Sequence, residues 1–444
     1  MSVRVEETVD NQSLNLKQMC INCFKGPNSL KTIVTLICVV LVVQQITVCS
    51  QKLLDRPITT YTHFDFNQTI TYPSVTFCRE PPYKHDKLSD YGLYAHPRLT
   101  STWRNFNFSS ISLDELWEEI TYDADDFFVQ YGLDTQRDNV KLTPVMGFIT
   151  GRCYTISPKV LDIKASTNPS SGYSITLQHF PSDLEDPISI LPPGYHVHVH
   201  YVREPYTEVE VYNGGLVDYL YVNTGEKVDV KLKVDEYIMI SEVQDPCSNE
   251  NNYSANACTT QYVTDAVTES VGCSGPWMKS DLPYCNNFND MRNLISSYVS
   301  TYQNHECESC PRFCRAYLYN AYVTDRQKYY TWKPQNFELK SGAEKSALQT
   351  QIYIHFNNMM VSVYEERFNY DWNLFLSDLG GSIGFLLGLS VIGLIEIIGN
   401  IWINLIRPSI VKRRRKKDTS APTFQANIAT ITNDQELKVD QWRH

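Results

Sequence analysis

Residues 377–396 read SDLGGSIGFLLGLSVIGLIE, and the rest of the chain is organised around this stretch. From Leu379 to Ile395 there are 17 consecutive residues without a charge. With the turns on either side, this is long enough for a helix to cross a bilayer. The sequence therefore predicts a membrane span, which we place at residues 371–406.

The glycines of this stretch follow a helical spacing. Gly380, Gly384 and Gly388 recur every fourth residue, so they share one helical face, and Gly381 adds a small residue beside them. Small residues on one face let a second helix approach the backbone closely. The pattern predicts helix packing at Gly380, Gly381 and Gly384.

Two carboxylates flank the same stretch. Asp378 and Glu396 lie 18 residues apart, which is five turns, so both point the same way on an unbroken helix. Carboxylates within a span usually face a water-filled path or a partner, and rings of them line cation pathways. The run Gly388-Leu389-Ser390 lies between them and offers small residues where a pore narrows. A glycine there could break the helix and turn carbonyls toward an ion.

These residues resemble the second span of the degenerin/epithelial sodium channel family, most closely its insect pickpocket branch. The resemblance is carried by Asp371-Trp372, residues 377–381, residues 384–390 and Glu396. In that family a glycine-x-serine triplet forms the narrow selectivity region. The resemblance implies this role for Gly388, Leu389 and Ser390.

Charge and hydropathy predict the topology. The net charge of -11 argues against a nucleic-acid partner. Positive charge gathers at residues 412–417, where a run beside a membrane span favours a cytoplasmic stop-transfer flank over nuclear targeting or lipid contact. The tail over residues 407–444 is polar and aperiodic, so we predict it to be cytoplasmic and disordered.

A second apolar segment runs from Ile33 to Val48. A cleaved signal peptide is one interpretation, but about thirty residues precede the segment, more than usual for a signal peptide. We favour a retained first span at residues 32–54, after a cytoplasmic segment at residues 1–31. Two spans then predict a multi-pass plasma membrane protein with both termini cytoplasmic.

The loop between the spans, residues 55–370, is predicted to be extracellular. It holds the glycosylation sequons of Asn67, Asn107 and Asn252. Nine of the 13 cysteines lie in it, and an oxidising compartment favours disulfides over zinc at Cys307, Cys310 and Cys314. The predicted fold class is a membrane α+β protein with two transmembrane helices around a large disulfide-rich domain.

Local patterns predict elements of this loop. Alternating β-branched and aromatic residues indicate strands near residues 57–61, 72–78, 195–201, 228–234 and 352–356. Ser112 and Glu115 form a capping box ahead of Leu113, Leu116, Trp117 and Ile120, which share one helical face. A second helical face comprises Met291, Leu294, Ile295, Tyr298, Val299 and Tyr302.

Two polar clusters have alternative interpretations. His196, His198 and His200 lie on one strand face, where they are a weak candidate for a metal site, against the simpler interpretation of a solvent-facing side. The acidic cluster at residues 123–126 could bind calcium or protons, but we favour a solvated surface. Cytoplasmic Cys20 and Cys23 are too few for a zinc site and are interpreted as reduced thiols.

The resemblance extends to the loop. It implies a central β-sheet palm with peripheral finger and thumb helices. It also implies the disulfides Cys78–Cys153, Cys247–Cys314, Cys258–Cys310 and Cys273–Cys285. Cys307 is left over, to pair with Cys49 or another chain or to stay free. The cytoplasmic histidine-glycine pair of the family is absent, which places autonomous gating in question.

The functional prediction is a subunit of a trimeric, sodium-selective, amiloride-sensitive type of cation channel, gated by an extracellular chemical or mechanical stimulus. Its partners are sodium ions, the bilayer and related subunits in a homo- or hetero-trimer. The alternative is a two-span, non-conducting receptor or adhesion protein. An enzyme is not predicted, since Gly388-x-Ser390 lacks the spacing of a hydrolase elbow and no HExxH motif occurs. No cofactor is predicted.

Overall fold

The computed structural model describes residues 29–66, 70–160, 171–182, 191–209, 217–303, 307, 309–333, 338–341, 348–388 and 402. Two compact units divide the chain: one comprises Met1–Pro57 with Phe368–His444, and the other comprises Ile58–Arg367. Leu389, Ser390, Glu396, Asn67, Cys20, Cys23 and the basic run at 412–417 lie outside the described residues.

The described elements are seven α-helices and fifteen strands. The helices are α1 (Ser29–Asp55), α2 (His85–Asp90), α3 (Leu113–Ile120), α4 (Ala124–Phe127), α5 (Ala255–Val271), α6 (Phe288–Gln303) and α7 (Trp372–Leu387), with 3₁₀ turns at Thr100–Asn105 and Arg137–Asn139. The strands are β1 (Ile58–Phe66), β2 (Ser74–Glu80), β3 (Phe128–Leu133), β4 (Val140–Met146), β5 (Arg152–Pro158), β6 (Tyr173–His179), β7 (Gly194–His200), β8 (Val217–Asn223), β9 (Glu226–Ile238), β10 (Cys247–Ser248), β11 (Arg312–Phe313), β12 (Arg315–Lys328), β13 (Tyr330–Lys333), β14 (Glu338–Ser341) and β15 (Leu348–Phe368).

The larger sheet has six strands. Its order is β12-β9-β15-β6-β3, and β1 also pairs with β15. The central pair β9 and β15 is parallel, with Val230 opposite Ile354, whereas β12, β6 and β3 pair antiparallel to their neighbours. Val228, Val230 and Leu232 alternate along β9 and are fully buried, as the period of two predicts for a strand with one core face.

The second sheet has five antiparallel strands in the order β4-β5-β2-β7-β8. Its apolar residues and those of the six-stranded sheet belong to one hydrophobic cluster, which includes Phe77, Val197 and Ile175. The two sheets therefore share a core. This burial supplies most of the driving force for folding of the unit, because apolar surface removed from water is the dominant favourable contribution.

Arg79 links the two sheets through a buried cation. It lies in β2 of the five-stranded sheet and is 1% exposed. Its Nη1 donates to the carbonyl oxygens of Asp126 and of Gln178 in β6, at 3.1 and 2.9 Å, and its guanidinium lies 3.9 Å from the centroid of the Tyr122 ring. These hydrogen bonds and the ring contact offset the cost of removing the charge from water.

Helices form a second hydrophobic cluster beside the sheets. The capping box predicted for α3 is confirmed, since Ser112 Oγ accepts from the Glu115 amide and the Glu115 carboxylate accepts from the Ser112 amide. Every apolar residue predicted for that helix face is buried: Leu113, Leu116, Trp117 and Ile120. The second predicted helix is α6, in which five of the six predicted residues are buried and Val299 is half-buried.

Helix α5 was not predicted from the sequence. Ser254 caps its first turn, and the Glu204 carboxylate accepts from the amides of Ala255 and Asn256 at 3.1 and 3.0 Å. An anion at a helix N-terminus satisfies free amides and interacts favourably with the helix dipole. The helix ends at Gly272 in the left-handed conformation, as many helices do.

In the other unit, α1 and α7 contact each other. Within the described residues, Ile33–Asp55 is the one helical stretch that is long and apolar enough to cross a membrane, with a mean hydropathy of 2.3. The predicted apolar helix near the N-terminus is thus present. Helix α7 has 16 residues, which is shorter than a membrane span, and its continuation lies outside the described residues.

Candidate functional site

The glycine-bearing helix ends directly before Gly388. Helix α7 begins after Asp371, whose Oδ1 accepts from the Leu374 amide at 2.8 Å, and it ends at Leu387. Gly388 follows with φ 63° and ψ 20°, the left-handed conformation. This conformation costs other L-residues about 1–2 kcal/mol. The helix that carries Asp378 is therefore not continuous through Gly388, which is one of the two possibilities that the sequence leaves open.

The glycines ahead of the break leave the helix surface open. Gly380 and Gly381 are exposed, and a Cβ at either position would meet nothing within 4 Å among the described residues. Gly384 is half-buried. The packing role predicted for these three glycines stays a prediction.

Asp378 is held by a hydrogen bond within its own unit. The hydroxyl of Tyr370 donates to Asp378 Oδ2 at 3.0 Å, and Tyr370 is buried while Asp378 is exposed. The bond fixes the orientation of the carboxylate, six residues after α7 begins at Trp372. An oriented, exposed carboxylate is able to attract a cation.

Four disulfides lie in the larger unit. The structure joins Cys78 to Cys153, Cys247 to Cys314, Cys258 to Cys310, and Cys273 to Cys285. These are the pairs that the resemblance implies. The first joins β2 to β5 in the five-stranded sheet, and the second joins β10 to the residue between β11 and β12. The third joins α5 to the segment before β11, and the fourth closes the loop between α5 and α6.

Cys307 lies next to one of these disulfides. Its Sγ is 2.7 Å from Cys310 Sγ and 3.4 Å from Ser309 Oγ, and it forms no disulfide, as is also true of Cys38 and Cys49. In the part of the chain that the structure describes, Cys258, Cys307 and Cys310 are the one cluster close enough to hold a metal. Two of these sulfurs are bonded to each other, so they cannot act as thiolate ligands.

The histidines of β7 do not face solvent, and that interpretation is wrong. His198 and His200 are 3% and 1% exposed, and His196 is half-buried. Neighbouring segments cover this face: His198 packs against the rings of Tyr206 and Tyr219, at centroid distances of 4.9 and 5.2 Å. Local alternation identifies a shared face but cannot show what covers it.

The three histidines make separate contacts. His196 pairs with Glu80 at 3.3 Å, and His200 Nε2 contacts Thr76 Oγ1 at 2.9 Å. Burial lowers the pKa of His198 to about 3 and that of His200 to about 4, so both are neutral at pH 7. Because each ring has its own environment, the three do not form a common ligand set among the described residues.

The acidic cluster is exposed but partly paired. Asp123 and Asp125 are exposed, and Asp126 is half-buried. Arg152 donates to Asp123 at 2.7 Å, and Lys84 pairs with Asp126 at 3.0 Å. Ion pairs at the surface contribute about 0–1 kcal/mol each. The cluster therefore fits the solvated surface that the sequence predicts.

Two of the predicted glycosylation sites are accessible. Asn107 and Asn252 are both exposed, and Asn107 Oδ1 accepts from the Ser109 amide in a local turn. We expect an N-glycosidase to increase the gel mobility of the chain made in animal cells. Asn107→Gln and Asn252→Gln should each remove part of that shift, whereas Asn105→Gln, an exposed asparagine outside a sequon, should not. Glycosidase-insensitive mobility of the wild-type chain would place this region on the cytoplasmic side.

Taken together, chain order places a disulfide-rich β domain between an apolar helix and a helix that ends at a left-handed glycine. This defines the class as proteins with a large disulfide-rich β domain that follows a helix long and apolar enough to cross a membrane. A family model described as amiloride-sensitive sodium channel matches residues 29–399, which is most of the chain. The chain belongs to the amiloride-sensitive sodium channel family.

The named proteins that this chain resembles have low sequence identity to it. Degenerin-like protein asic-1 of Caenorhabditis elegans is 22% identical over 369 residues, covering 76% of this chain and 43% of the nematode protein. Acid-sensing ion channel 2 of Danio rerio is 21% identical, with 74% of this chain and 69% of that protein covered. Acid-sensing ion channel 1 of Gallus gallus is 19% identical, with coverage of 74% and 70%. The chain thus spans less than half the length of the nematode relative.

Proposed function

We propose that this chain is one subunit of a trimeric, sodium-preferring cation channel in the plasma membrane. Membership of the amiloride-sensitive sodium channel family supports ion transport rather than catalysis. The observation that carries the proposal is the break of α7 at Gly388, within the stretch that resembles the family's selectivity region. A broken helix frees carbonyl oxygens, which are ligands for a partly dehydrated cation.

In this proposal each position near the break has a role. Gly388, Leu389 and Ser390 form the narrowest part of the pore where three chains converge. Asp378 lies toward the outer mouth, and Glu396 lies further inward, where a ring of carboxylates raises the local cation concentration. Gly380, Gly381 and Gly384 allow the helices to approach each other.

In the same proposal, the rest of the chain forms the other parts of the channel. We assign the six-stranded sheet to the palm, and the helical cluster with α3, α5 and α6 to the finger and thumb. The first span covers residues 32–54 and the second covers residues 371–406, with both termini in the cytoplasm. The resemblance of the second span to the pickpocket branch supports an insect sensory subunit, gated by an extracellular chemical or mechanical stimulus.

The missing cytoplasmic histidine-glycine pair supports assembly with related subunits. The family pair is needed for gating, and no histidine precedes His63 in this chain. We propose that a partner subunit supplies that function, so recordings are best made both from the chain alone and from the chain with family members.

Substitutions at Ser390 and Glu396 test the pore. Ser390→Ala should shift the reversal potential between sodium and potassium, since it removes a hydroxyl at the constriction. Glu396→Gln should lower single-channel conductance about twofold or more, because it removes one carboxylate per subunit from the inner ring. Glu396→Asp keeps the charge and should have a smaller effect.

The recordings require variants matched for surface level, with this subunit shown by co-purification to be in the conducting complex. Lys417→Gln serves as a control, since it removes one charge from the cytoplasmic tail. Unchanged selectivity and conductance in all pore variants would favour the other candidate, a non-conducting receptor in which the span is an anchor.

A further inference from the structure

A cavity of about 470 Å³ opens on the outer face of the five-stranded sheet. Its walls come from separate parts of the large unit, and it is not part of the proposed pore. Apolar side chains form much of the wall: Pro82, Ile149, Leu191 and Val217, with the rings of Tyr206 and Tyr219. Its volume lies within the range of about 300–1,000 Å³ that is usual for small-molecule sites.

Most polar groups in this cavity already have protein partners. His96 Nε2 donates to the Ile149 carbonyl oxygen at 3.2 Å, and its Nδ1 accepts from the Arg98 amide at 3.1 Å. His196 contacts Glu80 with one nitrogen and the Tyr219 hydroxyl with the other, at 3.3 and 3.0 Å. These groups form the wall and are not available for a ligand without losing a bond.

His198 forms part of the wall but offers no donor to a ligand. It lines the cavity and is 3% exposed. Its Nδ1 is fully buried and has no hydrogen-bond partner among the described residues. A ligand in the cavity does not reach this nitrogen, so the ring contributes packing surface only.

The charges around the cavity favour an anion. Arg79, Arg98 and Glu80 are the charged residues of the lining, which gives two positive charges and one negative charge. Arg79 is committed to the carbonyl oxygens of Asp126 and Gln178. Arg98 is exposed at the rim, so its guanidinium is the cation that a ligand can reach.

We propose that this cavity binds a small organic carboxylate with an apolar or aromatic body. The carboxylate meets the Arg98 guanidinium, while the body packs against the tyrosines, the His198 ring and the aliphatic wall. A single negative charge matches the net positive charge of the lining. A dianionic phosphate is disfavoured, because Glu80 would repel its second charge.

Phenylacetate is the probe, titrated into the purified full chain in detergent and followed by calorimetry. We expect a dissociation constant in the range of about 0.1–1 mM, as a small partly exposed contact allows. Phenylacetamide has the same shape without the charge and should bind at least about tenfold more weakly. Equal binding of the two compounds would overturn the proposed carboxylate recognition.

Substitutions inside and outside the lining test whether the probe binds in the cavity. Arg98→Gln should weaken phenylacetate binding about tenfold. Arg104→Gln removes the same charge from an exposed residue outside the lining and should change binding less than about twofold.

Two results would overturn the proposal. The first is no detectable heat or thermal stabilisation with phenylacetate at about 20 mM, far above the expected dissociation constant. The second is the same loss of affinity in the Arg104 and Arg98 variants, which would indicate a general charge effect. Neither result depends on whether the chain conducts ions.

Discussion

Replacing Gly388 by valine is expected to abolish the sodium current of complexes that contain this subunit. Two physical effects are added at once. A β-branched residue is strained at φ 63°, by about 1–2 kcal/mol, and its side chain adds volume at the proposed constriction. Among the described residues a Cβ at Gly388 meets nothing within 4 Å, so in the proposed trimer the block by volume would act at the pore constriction.

Asparagine separates the two effects. Asparagine adopts the left-handed conformation more readily than other non-glycine residues, so Gly388→Asn adds volume with little strain. Gly388→Ala adds strain with little volume. If the constriction lies here, the asparagine variant should lose nearly all current at a normal surface level, while the alanine variant keeps a measurable current.

Gly272→Asn is the matched control for this comparison. Gly272 also has a left-handed backbone, with φ 84°, and a Cβ there meets nothing within 4 Å among the described residues. We expect this variant to retain current, because Gly272 follows α5 in the large unit, outside the proposed pore. Full current in the Gly388→Asn variant would exclude Gly388 from the constriction and leave the glycine with a conformational role only.

The sequence predicts much of the local structure correctly. The capping box at Ser112 and the face of α6 follow from local hydrogen bonding and helical period, and both are found. The alternation along β7 and β9 likewise finds the strands. These features depend on neighbours within a few residues, which is why a sequence pattern can identify them.

Local sequence patterns cannot predict features that depend on residues far apart in the chain. The burial of His198 results from Tyr206 and Tyr219, which lie on other segments. The cavity is likewise lined by separated stretches, from Arg79 to Tyr219, so no local spacing marks it. The disulfide pairs came from family resemblance, since spacing alone leaves many connectivities open.

The end of α7 at Gly388 could be predicted only in part from the sequence. A glycine permits a left-handed backbone but does not require it, so the sequence allowed both a continuous helix and an interrupted one. The structure ends α7 at Leu387. Because the helix does not continue through Gly388, the pore proposal rests on the carbonyl oxygens at the helix end rather than on an aligned pair of acids.

Trp117→Ala is expected to destabilise the large unit more than any other single change proposed here. Trp117 is fully buried on α3 and stacks on Trp103, with ring centroids 6.2 Å apart. It also contacts Tyr83 and Trp277, at 5.8 and 5.1 Å, so it joins segments that are far apart in the chain. Truncation of a buried tryptophan costs about 3–5 kcal/mol, a large share of the usual stability of about 5–15 kcal/mol.

Trp117→Phe should be much milder, for a reason specific to this site. The Trp117 Nε1–H is buried without a hydrogen-bond partner among the described residues, so phenylalanine removes an unfavourable polar group together with some packing. We expect a melting temperature lowered by at least about 5 °C for the alanine variant and by only about 1–3 °C for phenylalanine. Leu99→Ala, at a residue 48% exposed, is the control and should have little effect. Intrinsic fluorescence during heating of the full chain measures all three variants. An equal loss in the alanine and phenylalanine variants would mean that the indole N–H has a partner and that the ring does not act through packing alone.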